Sequence, residues 1–140
     1  MTDTFVDTMW ASATTNAATE AAVLSPAEAN ALNTLTPSQL DDLPCGAVKV
    51  DDGGVVRFYN RYESELAGIT PEEAIDKNFF TEVAPCTNNK LFRGCFTRAV
   101  GEAAADAVFS YTFTYKMRPT EVLVQVHRSQ GSNWLLIKRK

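Results

Sequence analysis

The sequence predicts an α+β domain, in which a five-stranded antiparallel sheet carries helices on one face and a helical cap at the N-terminus. Short apolar runs with period-two alternation indicate the strands, and a repeated Ser/Thr-Pro-x-Glu/Gln signature indicates helix starts. The chain has 140 residues, of which 45% are hydrophobic and 21% charged, so its length and composition are those of one globular domain.

The helix signature occurs at Ser25, Thr36 and Thr70. In each copy the hydroxyl caps the amide of the third helical residue, proline occupies the first helical position, and the Glu or Gln side chain bonds back to the cap. The first two copies predict two short helices within residues 25–42. Two further short helices and one longer helix with an apolar stripe are predicted over residues 60–66, 71–75 and 89–103.

The strands are predicted from alternation and from turn residues. Alternation is strictest from Val108 to Met117, where the aromatic residues and Met117 share one face and the hydroxyl residues share the other. Residues 51–54, Asp-Asp-Gly-Gly, separate two apolar runs, which predicts a β-hairpin, and they are too few for a calcium loop. The predicted strands are residues 46–50, 55–59, 108–117, 122–126 and 134–138.

Charge and composition argue against several classes of protein. The net charge of −4 argues against a nucleic-acid surface, and no apolar run approaches the roughly 18 residues that span a membrane. The three cysteines, Cys45, Cys86 and Cys95, include no CxxC pair, so neither a metal site nor a disulfide framework is predicted. Because the N-terminus also lacks a signal-peptide pattern, we expect a cytoplasmic protein. We further expect a monomer or a weak dimer.

Charge is distributed unevenly along the chain. Residues 1–40 contain four acidic residues and no Lys or Arg, and the first 24 residues are rich in Ala and Thr. We therefore divide the chain into residues 1–42, a tail with a helical cap, and residues 43–140, the core of the domain.

The elements are predicted in the order of a PAS domain, which has a pocket between sheet and helices. Two strands come first, followed by several short helices, one longer helix and three strands. Within this order the sequence resembles the photoactive yellow protein (xanthopsin) family from about residue 40 to residue 140. Four segments carry the resemblance: Tyr59-Asn60-x-x-Glu63, Lys77-Asn78-Phe79-Phe80, Val83-Ala84-Pro85-Cys86-Thr87, and Tyr111-Thr112-Phe113-x-Tyr115-x-Met117-x-Pro119-Thr120.

The resemblance implies a blue-light photoreceptor and no enzymatic activity. It implies 4-hydroxycinnamic acid (p-coumaric acid) held as a thioester on Cys86, with its phenolate hydrogen-bonded by Tyr59 and Glu63. It further implies that blue light isomerises the double bond, that Glu63 gives the phenolate a proton, and that the N-terminal cap loosens to signal to an unidentified partner protein. The other residues that it assigns to the chromophore site are Phe79, Pro85, Phe113, Tyr115 and Met117.

Physical chemistry supports the roles of Tyr59 and Glu63. If the segment from Asn60 is helical, the two side chains, four residues apart, point the same way. A phenolate inside a protein needs strong donors, because burial would otherwise neutralise it. Glu63 can donate only when protonated, which an apolar pocket favours by raising its pKa. After proton transfer, the buried carboxylate would cost several kcal/mol, enough to strain a domain.

Two positions depart from the family pattern. Ala67 stands where the family usually has a threonine whose hydroxyl supports the phenol of Tyr59, and Ile69 stands where an arginine often covers the mouth of the pocket. We expect these departures to affect kinetics and chromophore pKa, and not attachment.

Two alternative functions remain open from the residues. One is a PAS module that is not photoactive, leaves Cys86 unmodified, and binds another ligand or a protein. The other is a thiol enzyme, which needs a base such as His127 within hydrogen-bond reach of Cys86. His127 alternates out of phase with the valines of its strand, so we expect it on the more exposed sheet face. Cys45 and Cys95 are expected to be core thiols.

Overall fold

A computed structural model describes residues 22–114 and 119–140 of the chain. The predicted tail up to residue 21, and the predicted site residues Tyr115 and Met117, lie outside the described residues. The described helices are α1 (Pro26–Ala31), α2 (Pro37–Asp41), α3 (Arg61–Ala67), α4 (Pro71–Ala74) and α5 (Phe92–Val100). Short 3-10 turns span Leu32–Thr34 and Pro85–Thr87, and a π turn spans Phe79–Val83. The strands are β1 (Gly46–Val50), β2 (Val56–Tyr59), β3 (Ala105–Phe113), β4 (Thr120–Ser129) and β5 (Ser132–Arg139).

The strands form one sheet in the order β2-β1-β5-β4-β3, and every neighbouring pair is antiparallel. The last strand therefore lies at the centre of the sheet, where it joins the first hairpin to the second. This arrangement confirms the predicted five-stranded antiparallel sheet.

The three predicted capping boxes are present at Ser25, Thr36 and Thr70, each with both reciprocal hydrogen bonds. α3 begins after the N-cap Asn60 and ends at Gly68, whose φ of 72° is a left-handed conformation that glycine adopts without strain. These short helices are thus specified by local sequence.

Several elements differ in their bounds from the prediction: β3 spans Ala105–Phe113 instead of residues 108–117, and β5 spans Ser132–Arg139 instead of residues 134–138. α5 is shorter than residues 89–103 at both ends. At its start, the side chain of Asn89 accepts a hydrogen bond from the amide of Phe92, the first helical residue. At the other end, the helix stops at Val100. β4 is longer than residues 122–126, because its pairing with β3 continues as far as Ala105 and Arg128. Long-range pairing, which local alternation does not report, sets the ends of this strand.

The sheet separates two apolar cores. One contains the aromatic residues of β3, the π turn and α5, including Phe92, whose ring lies 5.4 Å from that of Phe109. The other lies on the opposite face, where the cap residues Leu32 and Leu40 pack with Trp134 of β5. The cap therefore covers the sheet face that points away from the first core.

The predicted exposure of His127 is wrong. The residue does lie on the face opposite the valines, but α1 covers this face and leaves His127 only 5% exposed. Its Nδ1 lies 3.0 Å from Asp106 Oδ2 on β3, and its Nε2 lies 3.1 Å from Asn30 Oδ1 on α1. Cys45 and Cys95 are both buried, as expected of core thiols.

Within the described residues, every helix is too short to cross a membrane, and none has the required apolar stretch.

Candidate functional site

Asn60 fixes the start of α3. This fully buried side chain accepts hydrogen bonds from the amides of Ala47 (2.9 Å) and Glu63 (3.2 Å). It also donates to the carbonyl oxygens of Leu40 (2.8 Å) and Cys45 (3.0 Å). One amide group therefore ties α3 to β1 and to α2 of the cap. In the sequence, Asn60 stands within the segment Tyr59-Asn60-x-x-Glu63, and nothing local indicates its bonds to Leu40 and Cys45.

Tyr59 and Glu63 flank Asn60, and both are buried, with 2% and 1% of their surface exposed. Tyr59 Oη and Glu63 Oε1 have no hydrogen-bond partner among the described residues. A buried polar atom without a partner costs about 1–3 kcal/mol, so native proteins rarely keep two of them together. Two residues with such atoms, lining one cavity, are what a site for a further polar group requires.

Burial governs the protonation of both side chains. It raises the pKa of Glu63 from 4.5 to about 8, so the carboxyl keeps its proton at neutral pH and can donate a hydrogen bond. Burial also raises the pKa of Tyr59, and the negative charge that Glu63 can acquire raises it further. The raised pKa of Glu63 agrees with the expectation from an apolar pocket.

The cavity that Tyr59 and Glu63 line is narrow and mostly apolar. The structure brings the predicted residues Tyr59, Glu63, Cys86 and Phe113 together in its lining. Phe79 is instead fully buried in the aromatic core, and Pro85 is exposed at the start of a 3-10 turn. The other described residues in the lining are Ala67, Ile69, Val83 and Ala84, which include both departures from the family pattern.

The half-buried Cys86 lies in the 3-10 turn, and its backbone is tied to β3. The hydroxyl of Tyr111 donates to the carbonyl oxygen of Cys86, and Asn89 Nδ2 lies 3.2 Å from the same oxygen. Asn89 also donates to Tyr111 Oη at 2.6 Å. Alternation in the sequence places Tyr111 on the aromatic face of its strand but gives no sign of this clamp, which forms with a turn elsewhere in the chain.

A larger cavity of about 630 Å³ lies elsewhere, between α1, the end of α5 and the start of β3. His127 and Asp106 line this second cavity, whereas Cys86 lines the first. Both ring nitrogens of His127 already have partners in Asp106 and Asn30. The thiol-enzyme hypothesis requires His127 within hydrogen-bond reach of Cys86. The structure instead places the two residues on different cavities.

The fold and the buried pocket beside the sheet define the class of protein, a PAS domain. A family model described as PAS fold matches residues 35–136. Among curated proteins, the photoactive yellow protein of Rhodothalassium salexigens is 40% identical over 112 residues, which cover 79% of this chain and 90% of that protein. The photoactive yellow protein of Halochromatium salexigens is 37% identical, with the same two coverages.

A solved structure agrees with these relatives. The photoactive yellow protein domain of the sensor histidine kinase Ppr from Rhodospirillum centenum superposes with a TM-score of 0.74 at 38% identity, covering 79% of this chain and 98% of that domain. The chain belongs to the photoactive yellow protein family of PAS photoreceptors.

Proposed function

We propose that this protein is a blue-light receptor that holds p-coumarate as a thioester on Cys86, with Tyr59 and Glu63 as donors to the phenolate. One observation carries the proposal. Among the described residues, Tyr59 Oη and Glu63 Oε1 are buried without partners, and Tyr59 and Glu63 line the same cavity as Cys86. When bound, p-coumarate supplies absorption of blue light and isomerisation of its double bond.

Attachment requires an activated p-coumaroyl donor. The bond between Cys86 Sγ and the acyl carbon forms as the S–H bond and the bond to the leaving group break, and the leaving group departs with the thiol proton. The clamp by Tyr111 and Asn89 on the carbonyl of Cys86 keeps this turn against β3, which restricts the directions in which Sγ can point.

Tyr59 and Glu63 supply what an anionic oxygen needs in an apolar cavity. Each offers one O–H donor, and hydrogen bonds from O–H groups to an anionic oxygen are short and strong. Glu63 can act in this way because its raised pKa keeps it protonated at neutral pH. The two orphaned atoms would then have partners, which removes the cost of their burial.

The same carboxyl can also release its proton toward the cavity after illumination. Glu63 would then carry a negative charge while only 1% exposed, which costs several kcal/mol unless a partner compensates it. Asn60 bonds the amide of Glu63 and the carbonyl of Leu40, so strain at α3 reaches the cap directly. We therefore assign the output to residues 25–42, which would loosen and expose a surface to a signalling protein.

Reconstitution tests the proposal. Purified protein treated with an activated p-coumaroyl donor should gain a visible band that bleaches in blue light and recovers in the dark. Glu63→Gln should move this band to longer wavelength, because a weaker donor leaves less charge localised on the phenolate oxygen. Glu65→Gln, an exposed position on the same helix, is the matched control and should leave the band in place.

A folded protein that stays colourless with the donor would contradict the proposal and favour a PAS module for another ligand. A Glu63→Gln band that is unmoved, or moved to shorter wavelength, would remove Glu63 from the phenolate site.

A further inference from the structure

Gly46, the first residue of β1, leaves space that the side chain of Glu63 fills. A Cβ atom built on Gly46 would lie less than 3.0 Å from Glu63 Oε1, closer than real Cβ contacts. It would also lie 3.2 Å from Glu63 Cβ and 3.2 Å from the carbonyl oxygen of Ile137. Even an alanine at position 46 would therefore collide with the carboxyl group.

The backbone around Gly46 is held on several sides. Gly46 pairs with Ile137 of β5 in the sheet. Its two neighbours, Cys45 and Ala47, are both hydrogen-bonded to Asn60, which caps the helix that carries Glu63. Because the strand and the helix are fixed to each other by these bonds, the carboxyl group is the part that is free to yield.

We propose that Gly46 is a positioning residue, whose missing side chain forms a recess in β1 that sets where the Glu63 carboxyl lies. The functional role of this carboxyl position rests on the proposed function, since Glu63 is the proposed donor to the phenolate. A methyl group at position 46 moves the carboxyl away from β1 by roughly 1 Å, to ordinary contact distance. A shift of this size is enough to misalign a hydrogen bond.

The recess is testable without any chromophore, by a double-mutant cycle that joins Gly46→Ala with Glu63→Ala. Gly46→Ala should lower the urea midpoint of unfolding of the parent, with a shift at least roughly twofold larger than in the Glu63→Ala background. Gly94→Ala is the matched control, because its Cβ would meet only the end of the Arg98 side chain, at 3.7 Å. Its shift should be the same in both backgrounds.

Equal shifts for Gly46→Ala in the two backgrounds would overturn the proposal. If Gly46→Ala alone does not fold, the double variant decides. A folded Gly46→Ala/Glu63→Ala protein supports the recess, and an unfolded one shows that the strand itself requires glycine.

The positioning role is measured on the protein loaded with p-coumarate. Gly46→Ala should raise the pH at which the visible band is lost to chromophore protonation by roughly one unit, because the displaced donor stabilises the phenolate less. Gly94→Ala should leave this midpoint unchanged, although it too alters a glycine. An unchanged midpoint in Gly46→Ala would overturn the positioning role. If no variant gains colour, the proposed function fails, while the cycle in the unloaded protein still decides the recess.

Discussion

The protonation of Glu63 predicts an unusual dependence of stability on pH. Its pKa is about 8 in the folded protein against an ordinary value of 4.5, and burial is the cause. Between these values the unfolded chain loses the proton and the folded chain keeps it. The contribution of Glu63 protonation to the free energy of unfolding is therefore fully present below about pH 4.5, and it is lost as the pH rises to about 8.

The magnitude follows from the shift. Each pH unit in this window lowers the free energy of unfolding by about 1.4 kcal/mol, so the whole shift amounts to about 5 kcal/mol. A domain has a net stability of roughly 5–15 kcal/mol, so the effect would be easy to observe. A hydrogen bond from the backbone amide of Val55 lowers the pKa of Asp51, so this carboxyl titrates below the window.

Glu63→Gln tests this reasoning, because glutamine has nearly the same shape and does not ionise. In protein without chromophore, the stability of the variant relative to the parent should rise by about 4 kcal/mol between pH 5 and pH 8. Urea unfolding followed by circular dichroism at several pH values measures the difference. Contributions from residues other than position 63 are common to both proteins and cancel.

Glu65→Gln provides the control, since it removes an exposed carboxyl from the same helix and should keep the slope of the parent. Parallel stability profiles for Glu63→Gln and the parent would refute the reasoning, because they would mean that Glu63 ionises alike in the folded and unfolded chains.

Three further predictions concern the surroundings of the site. Asn60→Ala removes four hydrogen bonds and should lower the free energy of unfolding by about 3 kcal/mol, measured by urea unfolding; a neutral effect would contradict the anchoring role. Ala67→Thr should lower the pH at which the loaded chromophore is protonated, because its hydroxyl can support Tyr59; an unchanged or raised midpoint in an acid titration would reject this. Residues 25–42 should lose more amide-exchange protection than β4 under blue light, and equal protection in light and dark would exclude the cap as the output element.

Local sequence predicted the elements whose causes are local. The capping boxes at Ser25, Thr36 and Thr70 involve residues three apart, and strand alternation involves neighbours. Asn60 and Gly46 were different, because apart from the bond between Asn60 and Glu63 their partners lie far away in the sequence. The recess at Gly46 exists only because Glu63 of α3 packs over β1, and no local pattern marks such a contact.

His127 shows where alternation stops being informative. Period two assigned the residue to the correct face of the sheet, but the exposure of that face depends on whether another element covers it. The covering residue, Asn30, lies 97 positions away in sequence. Tyr111 is a similar case, since its hydroxyl reaches the carbonyl of Cys86 across the boundary between β3 and a turn.

The most direct test of the central claim is the mass of the cysteine peptides after reconstitution with an activated p-coumaroyl donor. We expect one p-coumaroyl group per chain, on the peptide that contains Cys86, and none in Cys86→Ser. Cys45→Ser and Cys95→Ser should both keep the adduct, because burial raises the pKa of these thiols, that of Cys45 to about 12, and leaves them unreactive. An adduct that persists in Cys86→Ser, or that forms on another residue of the parent, would contradict the account.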